Sequence, residues 1–370
     1  MRMRLAKCLL VCAGAFLFAL TAARAQSPEE CNSLGTRKQF ENRQDIPGCL
    51  RPITDRESLI SISNLIHRLV AGELLRQPPV SPEPAGTAMI SPDGDGTFTV
   101  APAADIAQPA PQRKWNLWAD GKYSWIDGND DISGSDGPLV NAIAGIDYKI
   151  TDRVILGLIG LYEHSKLDSS GAPSVSVKAQ GIGGGAYLGI TLTNQIVFSA
   201  LVNASSFDND YDLGFSSADT DSNRVQASSG FTGYFYSSDL WRWTPSLTAA
   251  WSGEWIDSYT DSIGNNFADQ KVETAILSLG NQLGKTFSLS NGATVEPWAG
   301  AILEYTFLNR TETDNAPTLD YDDTIDIRLQ AGLNFGLADN IQLALTGEMA
   351  GLLLDASDTY AGEANLAIQF

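Results

Sequence analysis

From Lys114 to Phe370, apolar and polar residues alternate in segments of roughly ten, joined by connections that are short, then long, then short again. The short joints are Thr151-Asp152, Thr193-Asn194, Ser237 to Asp239, Ser290 to Gly292 and Asp339-Asn340. The long ones cover 127–138, 164–174, 207–221, 257–271 and 309–322, with a shorter stretch near 355–358. Two populations of joint predict two different environments at the two ends of the segments. The clearest segment, 323–337, sets Ile325, Ile327, Leu329, Ala331, Leu333, Phe335 and Leu337 on one face, against Asp326, Arg328, Gln330 and Asn334 on the other. One face suits lipid and the other water. The segment 115–125 repeats this with Trp115, Leu117, Tyr123 and Trp125 against Asn116, Asp120 and Lys122. In 139–150, Val140, Ala142, Ala144, Ile146, Tyr148 and Ile150 oppose Asn141, Asp147 and Lys149.

Strands of eight to ten residues, tilted by about 40°, rise roughly 20–25 Å, which matches the apolar band of an outer-membrane barrel. Trp241, Trp243, Trp251 and Trp255 share a face and fall where the interfaces of that band should be. The pattern predicts an all-β fold, a twelve-stranded antiparallel transmembrane β-barrel over 114–370. A soluble β-sandwich also alternates, yet gives no reason for alternating loop lengths or tryptophan belts. Two segments fit less well. Gly181 to Ile190 is apolar on both faces and predicts a bulge or close packing. Asn281 falls on the lipid side if Leu277, Leu279 and Leu283 do.

The first residues read differently. Arg2, Arg4 and Lys7 precede an apolar run from Leu9 to Leu20 and then Ala23-Arg24-Ala25, the plan of a signal peptide over 1–25 with cleavage before Gln26. Removing four basic residues takes the formal net charge from −20 to −24. So acidic a chain is a poor match for nucleic acid, whose phosphates need clustered Lys and Arg. Cleavage also removes Cys8 and Cys12 and leaves Cys31 and Cys49 in an oxidising compartment, where a disulfide worth about 3 kcal/mol is expected. After the leader no apolar run is long enough for a helical span.

Residues 26–77 form a small polar head. Thr54-Asp55-Arg56-Glu57 matches a capping box, and Leu59, Ile62, Leu65, Ile66, Leu69, Val70 and Leu74 follow at helical spacing until Pro78-Pro79. This predicts an amphipathic helix over 55–76 whose apolar stripe needs a partner: the barrel lumen, the disulfide loop or another copy. Residues 78–113, rich in Pro, Ala, Gly and Asp, read as a flexible linker with a reach of roughly 30–35 Å.

In the last segment Tyr360, Gly362, Ala364, Leu366, Ile368 and Phe370 share a face. A terminal Phe on an alternating strand resembles the assembly signal read by the outer-membrane barrel-assembly machinery. Val295-Glu296-Pro297-Trp298-Ala299-Gly300-Ala301 with Glu304-Tyr305, then Ala331-Gly332-Leu333-Asn334-Phe335 and Ala344 to Glu348, resemble the late strands of the autotransporter β-domain family. The resemblance covers about two-thirds of the chain. It implies an outer-membrane anchor or translocation unit, embedded in lipid and facing lipopolysaccharide. Members carry large repetitive passengers with the pore helix directly before strand one; this head is short, lacks repeats and is set off by the linker.

Candidate chemistry is sparse. The histidines are His67, on the predicted helix, and His164, in Glu163-His164-Ser165. Adjacent strand residues point to opposite faces, so that triplet does not assemble a nucleophile and base, and no enzyme is expected. Asp208, Asp210, Asp212 and Asp219 share spacing with a calcium loop, but Leu213 stands where Gly is required. They read instead, with Asp127, Asp130, Asp131, Asp261, Asp314, Asp320, Asp322 and Asp323, as an acidic outer surface able to hold divalent cations loosely. No resident cofactor is expected. Arg328, Glu304, Glu348 and Glu363 point to the lumen as pore-lining charges.

The leading functional expectation is an autotransporter-type barrel that anchors or translocates its own N-terminal segment, with the linker in the lumen and the head outside. The alternative is a narrow porin-like or structural outer-membrane protein whose head is a periplasmic plug or partner-binding module. A lipid-directed hydrolase relying on His164 is a third class.

Overall fold

The computed structural model describes residues 46–75, 113–128, 135–169, 174–237, 239–314, 318–320, 324–353 and 357–370. The expected signal peptide, Cys31 and all but the end of the linker lie outside them, and so does the side chain of Cys49. One helix, α1 (Ile46–Leu75), precedes twelve long strands: β1 (Trp115–Gly128), β2 (Ser135–Thr151), β3 (Val154–Ser169), β4 (Ser176–Thr193), β5 (Ile196–Asp212), β6 (Ser217–Gly233), β7 (Trp241–Ile256), β8 (Gln270–Lys285), β9 (Thr294–Thr313), β10 (Thr324–Ala338), β11 (Ile341–Ala350) and β12 (Ser357–Gln369). Each pairs antiparallel with its sequence neighbours, and β12 returns to β1. Backbone bonds from Trp115 N–H to the Phe370 carbonyl (3.1 Å) and back (2.9 Å) finish the closure, which leaves no open sheet edge in lipid.

The short turns are built by their own residues. At Thr151 and Thr193 the hydroxyl accepts from the N–H two residues on, Arg153 and Gln195 (both 3.2 Å), and Asn291 does the same for Ala293 (3.1 Å). Exposure alternates residue by residue, with Leu117, Tyr123, Ile146, Leu158, Val202, Leu279 and Leu329 outside and Asn116, Lys122, Asn141 and Arg328 inside. Outward Trp115, Trp241 and Trp243 lie near the short-turn end, and Trp125 and Trp255 toward the long-loop end. No described helix is long and apolar enough to cross a membrane, which says nothing of a β-barrel, since barrels cross with strands.

Two boundaries differ from the sequence expectation. Strands are longer than the predicted segments, for example 17 residues in β5 and β6, so 207–221 is mostly strand. A strand of that length rises about 40 Å, and its excess stands beyond the lipid band. Asp208 and Asp210 therefore sit on a ladder, opposite Asp221 and Asp219, and not in a calcium-type loop. The helix also starts earlier, at Ile46 and not at residue 55. Thr54 is an interior helical residue, and Glu57 makes a buried ion pair in place of capping the backbone.

The glycine run of β4 is explained by packing. No register shift interrupts 181–190. A Cβ at inward Gly181 would lie 2.3 Å from the Phe207 ring, and one at Gly189 would lie 2.2 Å from Val70 Cγ1 of α1. The outward Asn281 has a partner: the Trp243 indole N–H donates to its side-chain oxygen at 3.1 Å.

Candidate functional site

The lumen is occupied by α1, packed most closely against β4, β5 and β6. The predicted apolar stripe became a helix buried almost all round, because the barrel surrounds it. Its C-terminal half meets apolar wall. Ile62, Leu65, Ile66, Val70 and Ala71 form one cluster with Ile155, Ile159, Tyr187, Val197 and Leu201, so the inner wall is not uniformly hydrated. His67 is buried there against the Ser199 hydroxyl.

The N-terminal half is held by charge. Asp55 and Glu57 are two residues apart, about 200° around a helix, and so face opposite sides of the lumen. Asp55 pairs with Arg224 of β6. That guanidinium also reaches Glu163 of β3 (2.9 Å) and Glu254 of β7 (2.9 Å), and lies 4.3 Å over the Phe207 ring. Ser58 of α1 hydrogen-bonds Glu163 in the same cluster, and Asn141 donates to that carboxylate at 3.1 Å. On the other side Glu57 pairs with Arg328 of β10 (2.9 Å), which also binds Glu304 (2.8 Å) and Glu348 (2.6 Å). Arg56 adds a bond to Glu304 (2.9 Å), and Lys122 of β1 pairs with Glu348. Each arginine thus uses its fork of donors to join two strands to the helix. Such a cluster is poor evidence of net stability, but losing one member strands the others in a dry site.

Of the residues singled out from sequence, Arg328, Glu304 and Glu348 meet in one cluster, and Glu363 pairs separately with Arg68 of α1. Phe370 is exposed on the outer face beside Trp115. His164 lies on the outward register between Glu163 and Ser165, whose side chains are buried on the inward face. The reading missed Arg224, Glu254, Asp55 and Arg56. Arg224 had a signal, since Ser222, Arg224, Gln226 and Ser228 alternate with Val225 and Ala227 along β6.

The helix has a direction. Ile53 packs among Ile126, Leu139, Tyr211 and Tyr259 at the long-loop end. Glu73 pairs with Lys149 (3.4 Å) and accepts from Gln369 at the short-turn end. The N-terminal end of α1 therefore lies at the long-loop mouth, and its C-terminal end lies at the short-turn mouth, where β1 begins. Among the described residues it is α1 that occupies the lumen; the linker expected there lies outside them but for its end. Beside it runs a polar cavity lined by Asn64, His67, Thr244, Thr248 and Gln330.

An autotransporter β-domain model matches residues 117–348. Among solved structures, the chain is similar to the translocator domain of the autotransporter NalP from Neisseria meningitidis (13% identity, 71% of this chain and 90% of that one, TM-score 0.55). It is likewise similar to the transport unit of AIDA-I from Escherichia coli (13%, 71% and 92%, TM-score 0.57) and the β-domain of the Bordetella autotransporter BrkA (16%, 70% and 100%, TM-score 0.54). At these identities the likeness is one of fold. No curated protein matches the chain by sequence.

Proposed function

Because the chain belongs to the autotransporter β-domain family, we propose that this outer-membrane barrel carries its own short N-terminal segment through the lumen and holds it at the cell surface. The observation that carries the reading is the direction of α1, whose first turns lie at the long-loop mouth and whose last lie at the short-turn mouth. Short turns face the periplasm in outer-membrane barrels. Residues 26–45, with Cys31 paired to Cys49, are then the exported cargo, and α1 is its tail left in the pore. The unit works by anchoring, without catalytic residues. Its partners are outer-membrane lipid, lipopolysaccharide, divalent cations on the acidic outer ladder, and the barrel-assembly machinery through Phe370. The plug reading shares the filled lumen but needs a periplasmic head, which the helix direction disfavours.

An epitope inserted near Gln44 tests this. Protease added to intact cells is expected to remove it. Full protection, with the outer loops still cleavable, rejects export.

A further inference from the structure

Beyond the two arginine clusters, toward the long loops, the lumen changes character. The inner faces at the outer ends of the first six strands become apolar. Ile126, Leu139, Leu167, Val177, Tyr211 and Ala218 are buried in one cluster, with Ile53 of α1 packed against it. Val175 and Leu213 extend the cluster, and Tyr259 and Phe267 join it from the β7–β8 connection, 257–269. There Tyr259-Thr260 and Asn266-Phe267 pair as a small ribbon. Tyr259 stacks on Phe267 (4.6 Å between centroids, 10° between planes) and meets Tyr211 at 5.3 Å.

The ribbon is tied down. The Ser262 N–H donates to the Ser217 carbonyl (2.8 Å), the Ser217 N–H to the Ser262 hydroxyl (3.0 Å), and the Thr220 hydroxyl to the Asp257 carbonyl (2.8 Å). Asp261 shapes its tip: the carboxylate accepts from the N–H groups of Ile263 (3.1 Å) and Asn265 (2.8 Å), while Gly264 takes a φ of 90°. The two aromatic rings of this outer connection are thus buried over the apolar mouth of the lumen and not against lipid.

We infer that the 257–269 connection is an apolar lid which, with Ile53, seals the long-loop mouth against water and ions while α1 is in place. A narrow apolar constriction dewets and stops conduction. The cavity beside α1 lies on the other side of that constriction, beyond the arginine clusters, so the lid is what closes the long-loop side.

Full-length protein in planar bilayers of phospholipid in potassium chloride tests this. The natural sequence should be nearly silent, and Tyr259→Ser with Phe267→Ser should raise conductance roughly fivefold or more. Asp261→Ala, which loosens only the tip, should give a smaller rise, and Ile263→Ser at the exposed tip none. Heat-modifiable migration on gels checks folding; if the double variant does not fold, Asp261→Ala carries the test. Folded variants that stay as silent as the natural sequence overturn the inference. So does a natural protein that already conducts as freely as the variants, or an Ile263→Ser that opens as far.

Discussion

The two halves of α1 are held by different physics. Residues 55–58 lie between Arg224 and Arg328 through ion pairs that have exact partners and directions. Residues 62–71 are held chiefly by apolar packing, which is strong but tolerant of sliding, with Arg68–Glu363 and His67–Ser199 as polar contacts beside it. Shape-tolerant burial supplies affinity for the lumen, and the charge pairs set which turn of the helix stops at which strand. Under the proposed export, this division serves a segment that travels through the pore and then halts.

Breaking the charged half should have the largest effect. Arg328→Ala leaves Glu57, Glu304 and Glu348 without their shared cation and should destabilise the folded barrel by about 3–5 kcal/mol, read from thermal or urea unfolding. Adding Glu57→Gln to Arg328→Ala should return part of that loss; a double-mutant cycle with no coupling would show that the helix contact is incidental. In the apolar half, Ile66→Ala removes a fully buried side chain and should cost about 2–4 kcal/mol without changing the direction of the helix.

Gly189→Val sharpens the comparison, since its Cβ would fall 2.2 Å from Val70 Cγ1 and 3.1 Å from Leu74 Cδ1. It should cost about 1–3 kcal/mol by overpacking and expose the C-terminal half of α1 to protease while the ion-paired half stays protected. Protection along the whole helix would mean that the halves are not separable. The smallest effect should come from the lipid face: Trp243→Phe removes the donor to Asn281 and should cost about 1 kcal/mol in unfolding measurements.

The barrel was legible because a period of two survives wherever one face meets lipid and the other does not. Legibility failed where that contrast changes. In 207–221 the outward residues are aspartates in water, so the segment read as a loop, although Tyr211, Leu213 and Ala218 keep the inward apolar register. The start of α1 was misplaced because Thr54 to Glu57 reads as a cap. Capping would leave the buried Arg328 short of a counter-charge, and Glu57 supplies that charge instead. The lumen charges on β9 to β11 could be placed from alternation, whereas the cluster around Arg224 could not. Its members come from α1, β3, β6 and β7, and their meeting depends on the closure of the barrel and the seat of the helix.

The central claim, that α1 lies in the lumen with its last turns against β4 near the short-turn end, is tested most directly by a disulfide between Val70→Cys and Gly189→Cys, with Cys31 and Cys49 replaced by Ser. In barrels purified from membranes, the pair should cross-link efficiently and shift gel migration until reduced. Absence of the cross-link in folded barrels, or equal cross-linking of Ser58→Cys to Gly189→Cys, would contradict the account.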